Sequence, residues 1–334
     1  MGRRSVWSDA SVIELTKQFA PAADEVWRLQ RDDDPECRWF RRAVRGKPDV
    51  IHGSMQGTYV LTPRGKLLGR INSSNPASVS KVLAGALDKW HALPEIERRA
   101  PKAELQSVHR WADSYPERGL ALQRYARDIG VDPTQAAKAP VNLDAVWFSA
   151  DEVDGWLPEL RVGAQRAVSE RIVDRLAQVA LVDNVRGQTL PFARVELGDC
   201  ALQSVVLAIR GPKIDLQISG STYAEAKGPW VNGDNYWKPS REWPRSMSTR
   251  VFGLATFDRD AKQFSQFELV AIGEGRGRTA FNGRRNAEPD ATRRVGFLLQ
   301  LAPRHYRVAP TFINMYGAKW VTPPPPAQRK PGKE

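Results

Sequence analysis

From about residue 194 onward the chain places apolar residues at every second position, in runs at 201–209, 213–220, 249–257, 264–272 and 294–301. A period of two sends alternate side chains to opposite faces, so each run predicts a strand with one buried face. Turn-forming residues separate neighbouring runs, as in Arg210-Gly-Pro-Lys213 and Asp258-Arg-Asp-Ala-Lys262. Strands joined by turns this short pair antiparallel. The stretch 224–247, with Trp230, Trp237 and Trp243 among Gly, Pro and Asn, is too long for an ordinary connection.

Ahead of these runs the pattern is helical. Ser149, with Glu152 three residues on, predicts a capping box that opens a helical stretch over 149–182. Within it Val168, Ile172, Leu176 and Val179 recur at helical steps. At the N-terminus, residues 8–20 read as a helix capped by Ser8 or Asp9, with Val12, Leu15 and Phe19 on one stripe. Residues 22–29 are short and mixed and read as a strand, and 36–45 as a second helix. Gly57–Thr62, the turn Pro63-Arg-Gly65 and Lys66–Ile71 form a hairpin, because Pro presets the second turn position and Gly supplies positive φ. Asn75-Pro76 then opens a helix whose apolar face is Val79, Val82, Leu83, Ala86, Leu87 and Trp90.

The expected organisation is α+β. A small α/β unit spans 1–95, a connector 96–140 carries a short helix at 102–112 and a strand at 119–127, and a larger domain with an antiparallel sheet and helices spans 141–322. The tail 323–334, with four consecutive prolines, is expected to be extended or disordered. A chain of 334 residues is long enough for two domains that need no staple. Its two cysteines, Cys37 and Cys200, exclude a disulfide scaffold, and no apolar stretch approaches the 18 residues of a membrane span.

The net charge of +12 comes from 36 Arg and 14 Lys against 38 acids. The densest cluster is Arg276, Arg278, Arg284, Arg285, Arg293 and Arg294, but no helix-turn-helix, RNP or zinc-finger pattern accompanies it. A charge pattern without a reading element does not make a nucleic-acid partner the expectation.

Residues 3–92 carry a resemblance. Ser8-Asp9-Ala-Ser-Val12-Ile13-Glu-Leu15 to Phe19 resembles the helix after the redox motif in bacterial thioredoxin-family proteins. Gly57-Thr-Tyr-Val-Leu-Thr-Pro-Arg-Gly-Lys-Leu-Leu-Gly69 resembles that family's last hairpin. Tyr115-Pro-Glu-Arg-Gly-Leu120, Trp147-Phe148, Arg250–Asp258 and Phe267–Gly273 resemble a domain found in secreted bacterial proteins with an N-terminal thioredoxin-like part. The resemblance implies an incomplete thioredoxin-like unit and a periplasmic or secreted location, although Met1-Gly-Arg-Arg4 is not followed by the apolar run of an export signal. Thioredoxin chemistry needs a Cys-x-x-Cys at a helix N-terminus, where the helix end stabilises the attacking thiolate. By register that motif is expected upstream of Met1, and the first strand further upstream still. Ser54-Met55-Gln56 stands where the family places a cis-proline.

Cys37 is the candidate catalytic residue, a single thiol beside Arg38, Arg41 and Arg42, whose charge would lower its pKa. The competing reading is a helix cysteine packed with Phe40 and Val44. Cys200, at a strand start, is structural. Trp230, Tyr236, Trp237 and Trp243 form a candidate binding edge, because such rings offer large area with a polar tip, for a protein or saccharide partner. The competing reading is a lid over the sheet. Asp32-Asp33-Asp34 with Glu36 lacks the glycine of a calcium loop and reads as a solvated turn. Gly273-Glu-Gly-Arg-Gly-Arg-Thr279 has no helix behind it to bind phosphate and reads as a glycine-rich hairpin turn. No metal site and no cofactor are expected. The leading reading is a redox-inactive thioredoxin-like protein acting as a binding or structural module. The alternatives are a thiol–disulfide or selenol oxidoreductase using an upstream motif or Cys37, and a basic nucleic-acid-associated protein.

Overall fold

A computed structural model describes residues 6–7, 9–24, 26–31, 33–46, 55–101, 110–130, 141–186, 189–228, 242–277 and 291–323. The chain divides into two compact units, 1–110 and 111–323.

The first unit is helical around one hairpin. Asp9 accepts from the N–H groups of Ser11 and Val12 and starts α1 (Ala10–Thr16), which buries Val12. Residues 22–29, expected as a strand, instead contribute to α2 (Val26–Arg31), which packs beside α3 (Pro35–Arg45). A short apolar run does not separate helix from strand by period alone. Here the Leu29 carbonyl is held by the guanidinium of buried Arg41 on α3. Asp34 caps α3 through Glu36 N–H and Cys37 N–H, and Gly46, at φ +70°, ends it. The hairpin pairs β1 (Thr58–Leu61) with β2 (Leu67–Ile71), Thr58 opposite Ile71. Its turn needs Gly65, at φ +81°, packed against the Trp39 ring. Asn75 caps α4 (Pro76–His91), which lays Val79, Leu83 and Ala86 on β2 and α1, and the short α5 (Glu95–Arg98) follows.

The second unit is built on one eight-stranded sheet. Its strands are β3 (Leu120–Asp128), β4 (Val141–Phe148), β5 (Gln165–Ala167), β6 (Ala201–Arg210), β7 (Lys213–Gly228), β8 (Trp243–Asp258), β9 (Gln263–Gly277) and β10 (Thr292–Leu301), in the order β4-β3-β10-β9-β8-β7-β6-β5. Every neighbouring pair is antiparallel. The architecture is therefore α+β, with an antiparallel sheet as the patterning required. The strand expected at 119–127 forms as β3, but as a member of the large sheet and not of a connector, and β4 next to it was not anticipated. The stretch 149–182, expected to be helical in two segments, is only partly so. It holds α6 (Ala150–Val153), β5, α7 (Glu170–Arg175) and a single wide turn at Leu176–Ala180, closed by Leu181 N–H on the Leu176 carbonyl at 2.8 Å.

β7, β8 and β9 run further than their apolar pattern. Their continuations carry small inward residues, Thr222, Ala224 and Ala226, and the Thr222 and Thr249 hydroxyls meet 2.7 Å apart between β7 and β8. The connection between β7 and β8 is correspondingly shorter than 224–247, covering 229–242. Gly273–Gly277, expected as a turn, is strand, with Gly273 and Gly275 opposite Thr249 and Met247. At Gly220 a Cβ would lie 2.1 Å from the Ala201 carbonyl oxygen, so only glycine lets β7 approach β6 there.

One face of the sheet is buried under α7 and the wide turn, with Ile172, Leu176, Val179 and Leu181 in the same core as Leu216, Ile218, Leu269, Phe297 and Leu299. Edge-to-face aromatics run through it in sequence, Phe148 to Trp156, Phe267, Phe264 and Phe257, with centroids 5.2–5.6 Å apart. Asp128 of β3, Gly228 of β7 and Gly277 of β9 end at one end of the sheet, where β4, β8 and β10 begin.

Candidate functional site

The charged core beneath α7 is organised by Glu152. As the third residue of α6 it accepts the Ser149 N–H at 2.8 Å, which is the capping half the sequence announced. The same carboxylate receives both terminal nitrogens of Arg175, each at 2.7 Å, and Arg171 Nε at 2.9 Å. Arg171 and Arg175 lie four apart on α7, so one carboxylate serves both. Arg175 is 3% exposed and Glu152 5% by side chain. A two-pronged guanidinium–carboxylate pair supplies the geometry that burial of two charges requires. Burial acts to raise the Glu152 carboxyl, but the Arg175 hydrogen bonds and charge, with Ser149 N–H and Arg171, outweigh it and hold it below its ordinary 4.5.

Tyr316 forms the other wall. Its ring lies under the Arg175 guanidinium, 4.3 Å to the centroid, and its hydroxyl accepts the Trp147 N–H at 3.1 Å. Burial drives the Tyr316 hydroxyl well above the usual phenol range, so it stays protonated. Arg175 also donates to the Trp147 carbonyl at 3.1 Å. Trp147 sits on β4, an edge of the sheet, so these two side chains occupy backbone groups that would otherwise accept another strand.

Outside this pair lies a cleft of about 450 Å³. Glu170, Asp174 and Gln178 line it from one helical stripe, Arg194 faces them, and Met315, Tyr316 and Gly317 close the far side. Arg194 pairs with Glu170 and, at 3.1 Å, with Asp174. Burial pushes the Asp174 carboxyl up, against the pull of Arg194. Met315 is 43% exposed at the rim. The cleft thus presents guanidinium, carboxylate and apolar surface side by side.

A second polar group pins the segment after the wide turn to the sheet. Asp183 takes Arg293 of β10, Asn184 Oδ1 takes Arg124 of β3 at 2.7 Å, and Arg186 Nε reaches Asp128 of β3 at 2.9 Å. Arg124 is fully buried and also donates to Asn142 and Asp144. Burial lowers its pKa, against Asp144. Nearby, Arg245 donates to the carbonyls of Leu190 and Pro191 and stacks 4.0 Å over Phe192. Burial pushes its pKa down to about 10, against Glu196.

The residues singled out from sequence lie elsewhere. The Cys37 thiol is fully buried on α3 and donates to Asp34 Oδ2 at 3.1 Å. In the acidic run before it Asp32 lies outside the described residues, and the rest is not simply solvated, since Asp34 caps α3 and Asp33 pairs with Arg41 at 3.2 Å. The Cys200 thiol exchanges hydrogen bonds with the backbone of Tyr223. Trp243 opens β8 and is buried, whereas Trp230, Tyr236 and Trp237 fall outside the described residues, as do Arg278, Arg284 and Arg285. Arg276 and Arg294 are exposed on the outward face, and Arg293 turns inward to Asp183. The expected helix at 102–112 lies outside the described residues up to 109, and a single 3₁₀ turn follows at Trp111–Ser114. Sequence reasoning missed Arg171, Arg175, Arg194 and Tyr316. The available signal was Arg175 standing beside Leu176 in an otherwise apolar stripe.

Among the described residues no cluster of His, Cys, Asp and Glu could hold a metal ion, and no helix is long and apolar enough to cross a membrane. No protein-family model, no curated protein and no solved structure matches the chain.

Proposed function

We propose that residues 111–323 form a binding module whose cleft beside α7 takes a small zwitterionic ligand of the kind a short free peptide presents. The carrying observation is the cleft itself, in which Arg194 and Arg171 stand beside Glu170 and Asp174 around about 450 Å³ of space. That volume is in the range of small-molecule pockets. A ligand carboxylate pairs with the arginines, its ammonium with Asp174 and Glu170, and its side chain rests on Met315 and Val179. The buried Arg175–Glu152–Tyr316 group holds the floor rigid. In this reading the N-terminal unit is a thioredoxin-like scaffold without thiol chemistry. The burial of Cys37 and its hydrogen bond to a carboxylate support that assignment, because a neighbouring negative charge disfavours a thiolate.

Isothermal titration of the full chain with Ala-Ala dipeptide, its N-acetyl form and its C-terminal amide tests this. The free dipeptide should bind at least about tenfold more tightly than either blocked form, a difference of about 1.4 kcal/mol. Arg194→Ala and Asp174→Asn should each remove that preference. Equal binding of all three, or no heat at millimolar dipeptide, overturns the reading.

A further inference from the structure

Among the described residues, the outward face of the sheet carries a line of five apolar side chains, of which Leu143, Val270 and Phe252 are exposed and Tyr125 and Leu298 half-buried. Leu143, Tyr125, Leu298, Val270 and Phe252 are successive cross-strand partners on β4, β3, β10, β9 and β8. Leu143, Val270 and Phe252 are 48%, 44% and 52% exposed. The line ends at Ser219 on β7. Exposed Ile272 lies beside it toward one end of the sheet and exposed Leu254 toward the other. With strands about 4.8 Å apart and same-face residues about 7 Å apart, these seven positions cover roughly 250 Å². The outward positions on β7 where the line ends are Gln217, Ser219 and Ser221, so the row stops at β8.

We infer that this band is a two-fold interface with a second copy of the chain. The charges flanking the line select that occupant. On one side lie Arg250 of β8 and Arg127 of β3, and on the other Glu268 of β9, with Gln300 and Gln123 on the neighbouring strands. A two-fold axis along the line lays the apolar row on its own copy and carries each flanking row onto the opposite one. Arg250 then stands over the neighbourhood of the partner's Glu268, and Arg127 over the partner's glutamines. An axis along the strands instead lays the arginine row on itself, and that row holds no acid. An isologous contact needs this self-complementarity, and two sheets meeting face to face pack about 10 Å apart with side chains interleaved. The band and its polar flanks, three rows across five strands, cover about 500 Å² per partner, or about 1,000 Å² in total, the size of a weak association.

Sedimentation equilibrium of the full chain from about 1 to 100 µM, the range in which an interface of this size associates, tests the inference. The wild type should reach twice its 37.4 kDa. Val270→Lys, which places a charge within the line between Leu298 and Phe252 without touching the buried face, should sediment as a monomer with an unchanged circular-dichroism spectrum. Arg250→Glu should weaken association at least about tenfold, and the double exchange Arg250→Glu with Glu268→Arg should restore it to within about threefold. A wild type that stays monomeric at 100 µM, a dimer indifferent to Val270→Lys, or a double exchange no tighter than Arg250→Glu alone overturns it. Association of the wild type only with an added partner protein also overturns it.

Discussion

A single carboxylate, Glu152, closes a helix N-terminus and pairs with two arginines. Such a residue is costly to change, because removing one member leaves the other charge buried and unpaired. Glu152→Gln keeps the size and loses the charge. At pH 7 the variant should be less stable by about 3 kcal/mol in urea unfolding. Its pH dependence is the sharper signature. The folded pKa lies below the unfolded 4.5, so the stabilisation is complete above 4.5 and is lost as the pH falls through the lowered folded value. The acid limb of the unfolding midpoint, followed from pH 5 to 3, should be visibly flatter in Glu152→Gln than in the wild type. Superimposed limbs would show that the carboxylate is not held by Arg175. The sequence reading found Glu152 through its spacing from Ser149, yet gave no hint of its partners. Local spacing reports caps, whereas the Trp147–Tyr316 hydrogen bond joins residues 169 apart.

At the level of elements, the segment 182–186 behaves as a strap tied to the sheet by a graded set of charges. Asp183 meets Arg293, and the two side chains are 5% and 15% exposed. Asn184 completes the shell of buried Arg124, and Arg186, at 48% exposure, reaches Asp128 from the rim. The gradient sets an order of costs. Asp183→Ala should lower stability by about 3 kcal/mol, since a nearly buried guanidinium loses its counter-charge. Arg186→Ala should cost under about 1 kcal/mol, as its own charge is in water. Urea midpoints of the two variants check this, and equal losses would contradict it. This strap was invisible in sequence, because Val-Asp-Asn-Val-Arg reads as a polar loop. The strands around it were legible where large apolar residues alternate, as in 201–209 and 264–272. They were not legible where β7 continues on Thr222, Ala224 and Ala226, whose inward side chains are too small to make a period of two stand out. The turns were read correctly at Arg210–Lys213 and Asp258–Lys262 because their residues are chosen for backbone conformation. Gly211 sits at φ +59°, and Asp258 accepts the N–H groups of Asp260 and Ala261, each at 3.0 Å. The wide turn at Leu176–Ala180 keeps an apolar stripe while changing the backbone spacing, so the second helical segment read from Val168 to Val179 forms as α7 followed by that turn.

Across the whole molecule, the two units own separate cores. The smaller is Val6, Val12, Val60, Leu68, Val79, Leu83 and Ala86, and none of its members belongs to the larger. The larger holds the aromatic series from Phe148 to Phe257, the inner face of all the long strands and the cover formed by α7 and the wide turn. A segment with a complete core of its own should fold by itself. The fragment 111–323 is therefore expected to unfold in one cooperative urea transition, with a near-ultraviolet circular-dichroism signal from buried Trp147 and Trp156 that is lost at the same midpoint as the far-ultraviolet signal. Coincident midpoints are the mark of a two-state unit. Separate midpoints, or a broad non-cooperative loss, would mean that the sheet needs residues outside 111–323. The aromatic probes are well placed to decide, since both indoles are fully buried and Trp156 contacts Phe148 and Phe267 edge to face, so any loosening of the cover over the sheet reaches them first.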